Sequence, residues 1–392
     1  MRLKNYYREY CSGCGLCIAD ENVQFQSEHG FDYPIIINSK QVKFCKSVCP
    51  VNGINYNQPG YTNLWGDFKM AYSGWAIDEQ VRFTAATGGV ITGLCIYLIE
   101  SKLVDGILQI GSDNNDPLGI QLYFNEQVDD ILKCSTSRYI TGITFRNIQK
   151  YFEGDKKYAV VGKPCDMEAL TNYINLRQEY KKYVKYRLTF FCAGAPSKHA
   201  SLKLANSLGV TNGEIKKIRY RGNGWPGLAT IVSGNNEEYT MPYIDSWNHY
   251  LGRDIRKMCK FCMNGIGEFS DVSCGDLWEV DNENKPIFVE KDGVNIIFSR
   301  TDLGNELINK AKEAGYIHIE NYKDIEKLKY IQPNHHNMRT TMLWKVIGMK
   351  LLGKAAPNYN WKHLQLFSKD IPIKKSIRII FGTIKRILKK SI

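Results

Sequence analysis

Tyr158-Ala159-Val160-Val161-Gly162-Lys163-Pro164-Cys165-Asp166 decides the architecture. A short apolar run ends in a Gly-Lys-Pro-Cys turn, and a helical stretch from Met167 to Asn175 follows. The same unit recurs at once. Tyr186 to Cys192 reads as a strand, Ala193-Gly194-Ala195-Pro196-Ser197 as its turn, and Lys198 to Leu208 as the next helix. Repeated strand–turn–helix units predict an α/β architecture. Ligands in such sheets bind beyond the carboxyl ends of the strands, and Lys163, Cys165 and Cys192 all stand there.

Working outward, Lys69 to Ala76 is a predicted strand and Ile91 to Glu100 an apolar helix. Between them lies Thr84-Ala85-Ala86-Thr87-Gly88-Gly89. Small hydroxyl residues and paired glycines before a helix expose backbone N–H groups that suit a phosphate, although a plain loop reads the same way. Strands are expected at Gly106 to Ile110 and Gly119 to Phe124. Ser135-Thr136-Ser137-Arg138-Tyr139 adds hydroxyls, a cation and a ring near a helix start. Past Glu214 the pattern turns to short antiparallel strands at Lys217–Tyr220, Ala229–Ser233 and Glu238–Tyr243. Arg221-Gly222-Asn223-Gly224-Trp225-Pro226-Gly227 interrupts them, a hairpin loop or a flap over a ligand. A polar helix, Asp302 to Ala314, precedes a short strand and helix.

Residues 1–60 form a small cysteine-rich unit, followed by linker-like Pro59–Asn63. Cys11-x2-Cys14-x2-Cys17 can surround one inorganic centre, and the intervening glycines allow the tight backbone. The two-cluster ferredoxin pattern, C-x2-C-x2-C-x3-C-P used twice, explains the unit. Glu21 replaces the first run's fourth cysteine, and Ser39 and Val42 replace the second run's first two. Cys49-Pro50 survives. One 4Fe-4S set remains: Cys11, Cys14, Cys17 and Cys49. Cys45 is a buried thiol or an exchanged fourth ligand. A second set is expected far along the chain, at Cys259, Cys262 and Cys274, with Cys165 as the fourth thiolate and Cys192 the alternative. Zinc and unliganded thiols compete with a second 4Fe-4S cluster there. Cys95 and Cys134 read as structural.

Composition sets limits. Of 392 residues, 43 % are hydrophobic and 23 % charged, ordinary for a globular protein. No signal-peptide core and no run long enough to span a bilayer are visible, so a cytoplasmic setting is expected, and 12 cysteines there suggest metal ligands. From Pro333 onward there are 13 Lys or Arg and one acid, so this tail carries the whole net charge of +12. A neutral body argues against nucleic-acid binding. The tail ends in a helical pattern, residues 373–390, apolar on one face and basic on the other. That suits peripheral contact with an anionic membrane surface, here the inner face, or a helix packed on the body.

As an ordered set, these motifs resemble the beta subunit family of coenzyme F-420 hydrogenases and dehydrogenases over about residues 5 to 330. The matching stretches are Cys11 to Cys17, Cys49-Pro50, Thr84 to Gly89, Ser137-Arg138-Tyr139, Gly162 to Cys165, Cys192 to Ser197, Tyr220 to Gly227, Cys259-x2-Cys262 and Cys274 to Trp278. Thr87 stands where the family has serine. The resemblance implies an iron–sulfur flavoprotein oxidoreductase with FAD beside two 4Fe-4S clusters. It implies a ferredoxin-like electron donor, and an organic or deazaflavin acceptor. Stand-alone relatives occur with polysaccharide-synthesis enzymes. Thr87, Gly88, Gly89, Arg138 and Lys163 are then expected on the flavin phosphates, Arg221 and Trp225 over its ring, and Tyr139 or Asp276 as proton donor. The expected fold is mixed, α+β or α/β: a ferredoxin-like 4Fe-4S domain (1–60), an α/β FAD and 4Fe-4S catalytic domain (61–332) and a basic helical tail (333–392). A non-catalytic electron-transfer subunit and a zinc-bound interaction protein are the competing functions.

Overall fold

A computed structural model describes residues 2–52 and 63–389. Most of the linker expected at Pro59–Asn63 lies outside them. Thirteen strands are present among the described residues. In chain order they are β1 (Gln24–Glu28), β2 (Phe31–Ile35), β3 (Met70–Ala76), β4 (Gly106–Ser112), β5 (Ile120–Asn125), β6 (Tyr158–Gly162) and β7 (Val184–Phe190). Then come β8 (Ile215–Arg219), β9 (Leu228–Ser233), β10 (Glu238–Pro242), β11 (Val272–Asp276), β12 (Asn295–Ser299) and β13 (Ile317–Asn321).

Eight strands form one mixed sheet in the order β13-β3-β12-β11-β7-β6-β4-β5. Its centre is parallel, with β11, β7, β6 and β4 running the same way. The flanking pairs are antiparallel. A separate antiparallel sheet joins β10, β9 and β8, and β1 pairs with β2 as a hairpin. The mixed α/β expectation therefore holds, and the segment after Glu214 forms the antiparallel strands expected of it.

Side-chain alternation along the strands builds two cores. Ile107, Ala159, Leu188 and Ile297 face one side, where the helices Val90–Glu100 and Asp302–Glu313 cover them. Their neighbours Leu108 and Val160 face the opposite side, under the helix Pro164–Leu176. Ile296 and Phe298 face that second side as well, against Trp65 and Trp278. The same period fixes Cys274 on the first side, in the core that holds Cys95.

The chain's two ends share a further core. Tyr7, Tyr10 and Cys45 pack with Met342, Val346 and Met349 of the helix Pro333–Leu351, and with Phe367. Tyr10 donates to the carbonyl of Ala355 at 2.6 Å. The tail is thus folded onto the cysteine-rich unit.

Phe298 stacks on Phe68 at 4.7 Å and on Phe191 at 6.0 Å and is fully buried. Replacing it with Ala should cost about 3–5 kcal/mol. Thermal melts followed by circular dichroism should show a fall of several degrees, whereas Glu320→Ala on the edge strand β13 should leave the melt nearly unchanged.

Candidate functional site

The first cysteine group wraps around a glycine loop. Gly13 and Gly15 both have φ of +79°, and a Cβ would come within 2.5 Å of the Gly142 carbonyl at one and 2.4 Å of Ile143 at the other. Only glycine lets the loop approach this closely. The Thr144 and Phe145 amides hold it by donating to the Gly13 and Cys14 carbonyls at 3.0 and 2.8 Å. Cys45 lies on the helix Ser39–Val48, and Cys49 caps that helix. The Cys17 thiol is hydrogen-bonded to that of Cys45, which raises its pKa together with burial and the Cys14 and Cys11 thiols. Burial, then Cys14 and Cys45, likewise push the Cys49 thiol up. Five thiols therefore stand together, and Cys45 is a member of the group. Glu21, where a fourth local cysteine would be, instead faces Lys40 at 3.3 Å.

A second group forms from Cys165, Cys192, Cys259 and Cys262. Cys165 opens the helix Pro164–Leu176, Cys192 follows β7, Cys259 lies in the turn Lys257–Phe261 and Cys262 caps that turn. The Cys165 thiol is raised by burial, then by Asp166, with Cys192 and Cys262 adding to it. Burial and Cys259 push Cys192 up to about 12. The Ala195 amide donates to Cys259 Sγ at 3.4 Å. Cys274, expected in this set, is not in it. Strand alternation turns it to the opposite face of the sheet, where its neighbouring thiol is Cys95. Cys192, ranked behind Cys165 as fourth thiolate, is present alongside it.

Among the described residues, no three His, Cys, Asp or Glu side chains are close enough to share one metal ion. A cubane spreads its four thiolates around a body much larger than one ion. Two clustered sets of thiols, the first mostly buried and the second half-buried, have the donor chemistry such a body needs.

Beyond the carboxyl ends of the parallel strands lies a cavity of about 260 Å³. Thr87, Gly89, Arg138, Tyr139 and Lys163 line it, together with Trp247, Trp278 and Phe288. Gly89, with φ of +76°, caps the helix Val90–Glu100, whose first turn lines this space while the Val90 amide donates to Asn295 Oδ1 at 3.4 Å. Gly88 sits just behind, its carbonyl accepting from the Ala76 amide at 2.7 Å. Asn295 fixes the turn by donating to Thr87 Oγ1 and the Gly275 carbonyl, each at 3.1 Å. Ser135–Tyr139 follows the end of the helix Val128–Lys133 rather than starting one. Arg138 Nε is buried without a hydrogen-bond partner, an unspent cationic donor in the cavity wall. The arginine, the helix N-terminus and the hydroxyls match a phosphate-bearing cofactor.

Arg221 and Trp225 do not line this cavity. Arg221 grips Asp276 in a two-pronged pair at 2.8 and 2.9 Å and lies over the Tyr243 ring at 4.2 Å. Trp225 donates to Asp276 at 2.7 Å and stacks on Trp278 at 4.3 Å. Both brace the wall from behind. The expected flap over a ligand is not what this loop forms at the cavity, because its Arg and Trp are spent on Asp276.

Lys163 stands between cavity and thiols. Its ammonium donates to Thr144 Oγ1 at 2.6 Å and to Asp166 at 2.7 Å. Burial works against its charge, but Asp166 and the Cys165 thiol outweigh it and raise the pKa. His335 escaped notice in the sequence because it lies in the tail. With Cys192 and Ala193 it lines both the main cavity and a smaller space of about 40 Å³ beside Cys259 and Cys262. Burial lowers its pKa to about 4, so it is neutral.

Residues 71–146 match the family described as coenzyme F420 hydrogenase/dehydrogenase, beta subunit N-term, and residues 155–325 its C terminus. The chain is 27 % identical to the beta subunit of an F420-dependent formate dehydrogenase from Methanocaldococcus jannaschii, over 62 % of this chain and 60 % of that one. It is 23 % identical to a coenzyme F420 hydrogenase subunit beta from Methanococcus voltae, over 67 % of this chain and 88 % of that one. A chain of the F420-reducing [NiFe] hydrogenase complex from Methanosarcina barkeri shares the fold, with a TM-score of 0.55 and 21 % identity over 77 % of this chain and 98 % of that one. Matched in order across both halves of its sheet, the chain belongs to the coenzyme F420 hydrogenase/dehydrogenase beta subunit family.

Proposed function

We propose that this chain is an iron–sulfur flavoprotein oxidoreductase that takes electrons from a ferredoxin-like donor and delivers them to an organic or deazaflavin acceptor. When bound, 4Fe-4S clusters and FAD would supply the coupling of one-electron supply to two-electron chemistry. Cys11, Cys14, Cys17 and Cys49, within the 1–60 domain, would hold the first cluster, with Cys45 as a spare thiol of the same group. Cys165, Cys192, Cys259 and Cys262 would hold the second, within the 61–332 domain.

The observation that carries this reading is the shared wall. Cys192 and His335 border both the main cavity and the space beside Cys259 and Cys262. A redox centre at those thiols and a cofactor in the cavity would be neighbours. The residues divide the work. Thr87, the Gly88-Gly89 turn and Arg138 receive the phosphates, and Lys163 places a fixed positive charge between cavity and thiols. Tyr139, in the wall with Tyr243 at 5.9 Å, is the candidate to hold a proton at its hydroxyl. Asp276 is held by Arg221 and Trp225 and positions the wall. Trp278 and Phe288 keep water from the cavity's apolar side.

The names of the relatives favour a second reading, an electron-transfer subunit of a larger assembly. Turnover of an acceptor by the pure chain supports the first reading, and turnover only after adding a partner supports the second.

Anaerobic purification should yield about eight irons, matching sulfide and one FAD per chain. A colourless, zinc-only protein would end the redox reading. Cys192→Ala should lower iron by about four per chain, and Cys274→Ala should leave it unchanged. Arg138→Met should weaken FAD retention by roughly tenfold or more, measured as flavin released on gel filtration, because a desolvated charge-assisted bond to phosphate is lost.

A further inference from the structure

The helix Ile373–Leu388 has three faces. Ser376 and Thr383 are buried, and Ile380 and Thr383 meet Gly348 of the helix Pro333–Leu351, where the missing side chain lets the two backbones approach. This face is narrow and docks the helix on the body. A second face carries Ile373, Ile377, Phe381 and Leu388, at helical spacings of four, four and seven. They are 78, 48, 66 and 70 % exposed. A third face carries Lys374, Lys375, Arg378, Lys385 and Lys389. The expectation of a two-faced helix, lying on a membrane or packed on the body, thus resolves into one that packs and still presents an apolar stripe edged by cations.

We infer that this stripe docks on an anionic lipid surface. This row of large apolar side chains stays 48 to 78 % exposed among the described residues, and such rows mark interaction sites. The charge beside it selects the occupant. Asp370 is the only acid from residue 333 to the end, so the cations are not neutralised by their own segment and fit a surface of phosphate headgroups. Sixteen residues span about 24 Å, too short and too charged to cross a bilayer, and no described helix is long and apolar enough to do so. The geometry is that of a helix lying in the interface plane, with the stripe in the acyl boundary and the lysines at the headgroups. The inference is independent of the redox chemistry.

The test is co-sedimentation of the full chain with vesicles of phosphatidylcholine alone or mixed with phosphatidylserine. Binding should be at least about tenfold stronger to the mixed vesicles and should fall as salt rises. Ile377→Asp with Phe381→Asp should abolish it without altering the thermal melt, because both residues are exposed. Lys374→Gln with Lys385→Gln should weaken it several-fold, and decides the matter if the aspartate variant fails to fold. Equal binding to both vesicle types, no binding to either, or binding unchanged by the substitutions would overturn the inference. So would a dimer that becomes monomeric in the aspartate variant with no vesicle binding, which would assign the stripe to a second copy of the chain.

Discussion

The buried guanidinium of Arg256 holds the cysteine-rich unit against the sheet. It donates to Thr141 Oγ1 at 2.8 Å, to the Asp32 carbonyl at 3.1 Å and to the Cys11 carbonyl at 3.4 Å. It lies 5.3 Å from the Phe31 ring and 5.8 Å from that of Tyr33. A buried cation costs several kcal/mol unless its donors are met, so each carbonyl is fixed where the cation needs it. One residue thereby sets the hairpin, the first cysteine loop and the segment at Thr141. It also stands three positions before Cys259. The two thiol groups owe their relative placement to the same side chain.

A second buried charge sets the other boundary. Lys163 ties Asp166, in the helix that carries Cys165, to Thr144, whose amide holds the Gly13 carbonyl. A buried cation at this point offsets the Asp166 carboxylate beside it in a medium of low polarity. The Lys163–Asp166 pair thus sits at the carboxyl end of β6, between the cavity and the Cys165 thiol.

The local chemistry was legible in the sequence. Apolar runs marked the strands, the strand–turn–helix at Tyr158–Asn175 marked the architecture, and the close cysteine spacings marked the two groups. What escaped was set by relations between distant elements. Cys274 shares a motif with Gly275 and Asp276, but strand alternation turns its thiol to the far face. Arg221 and Trp225 looked free for a ligand because their partner, Asp276, is more than 50 positions away. His335 belongs to a segment whose composition suggested only a basic tail. Its role at the cavity depends on a helix returning across the body.

That return also orders the events of biogenesis. The core beneath the first cysteine group is completed by side chains from the helix Pro333–Leu351 and by Phe367. Contacts at such separation carry a large loop-closure cost and form late. A ribosome exposes the five thiols long before it releases the residues that bury them. The first group therefore stays uncovered during synthesis until the helix Pro333–Leu351 and Phe367 pack over it.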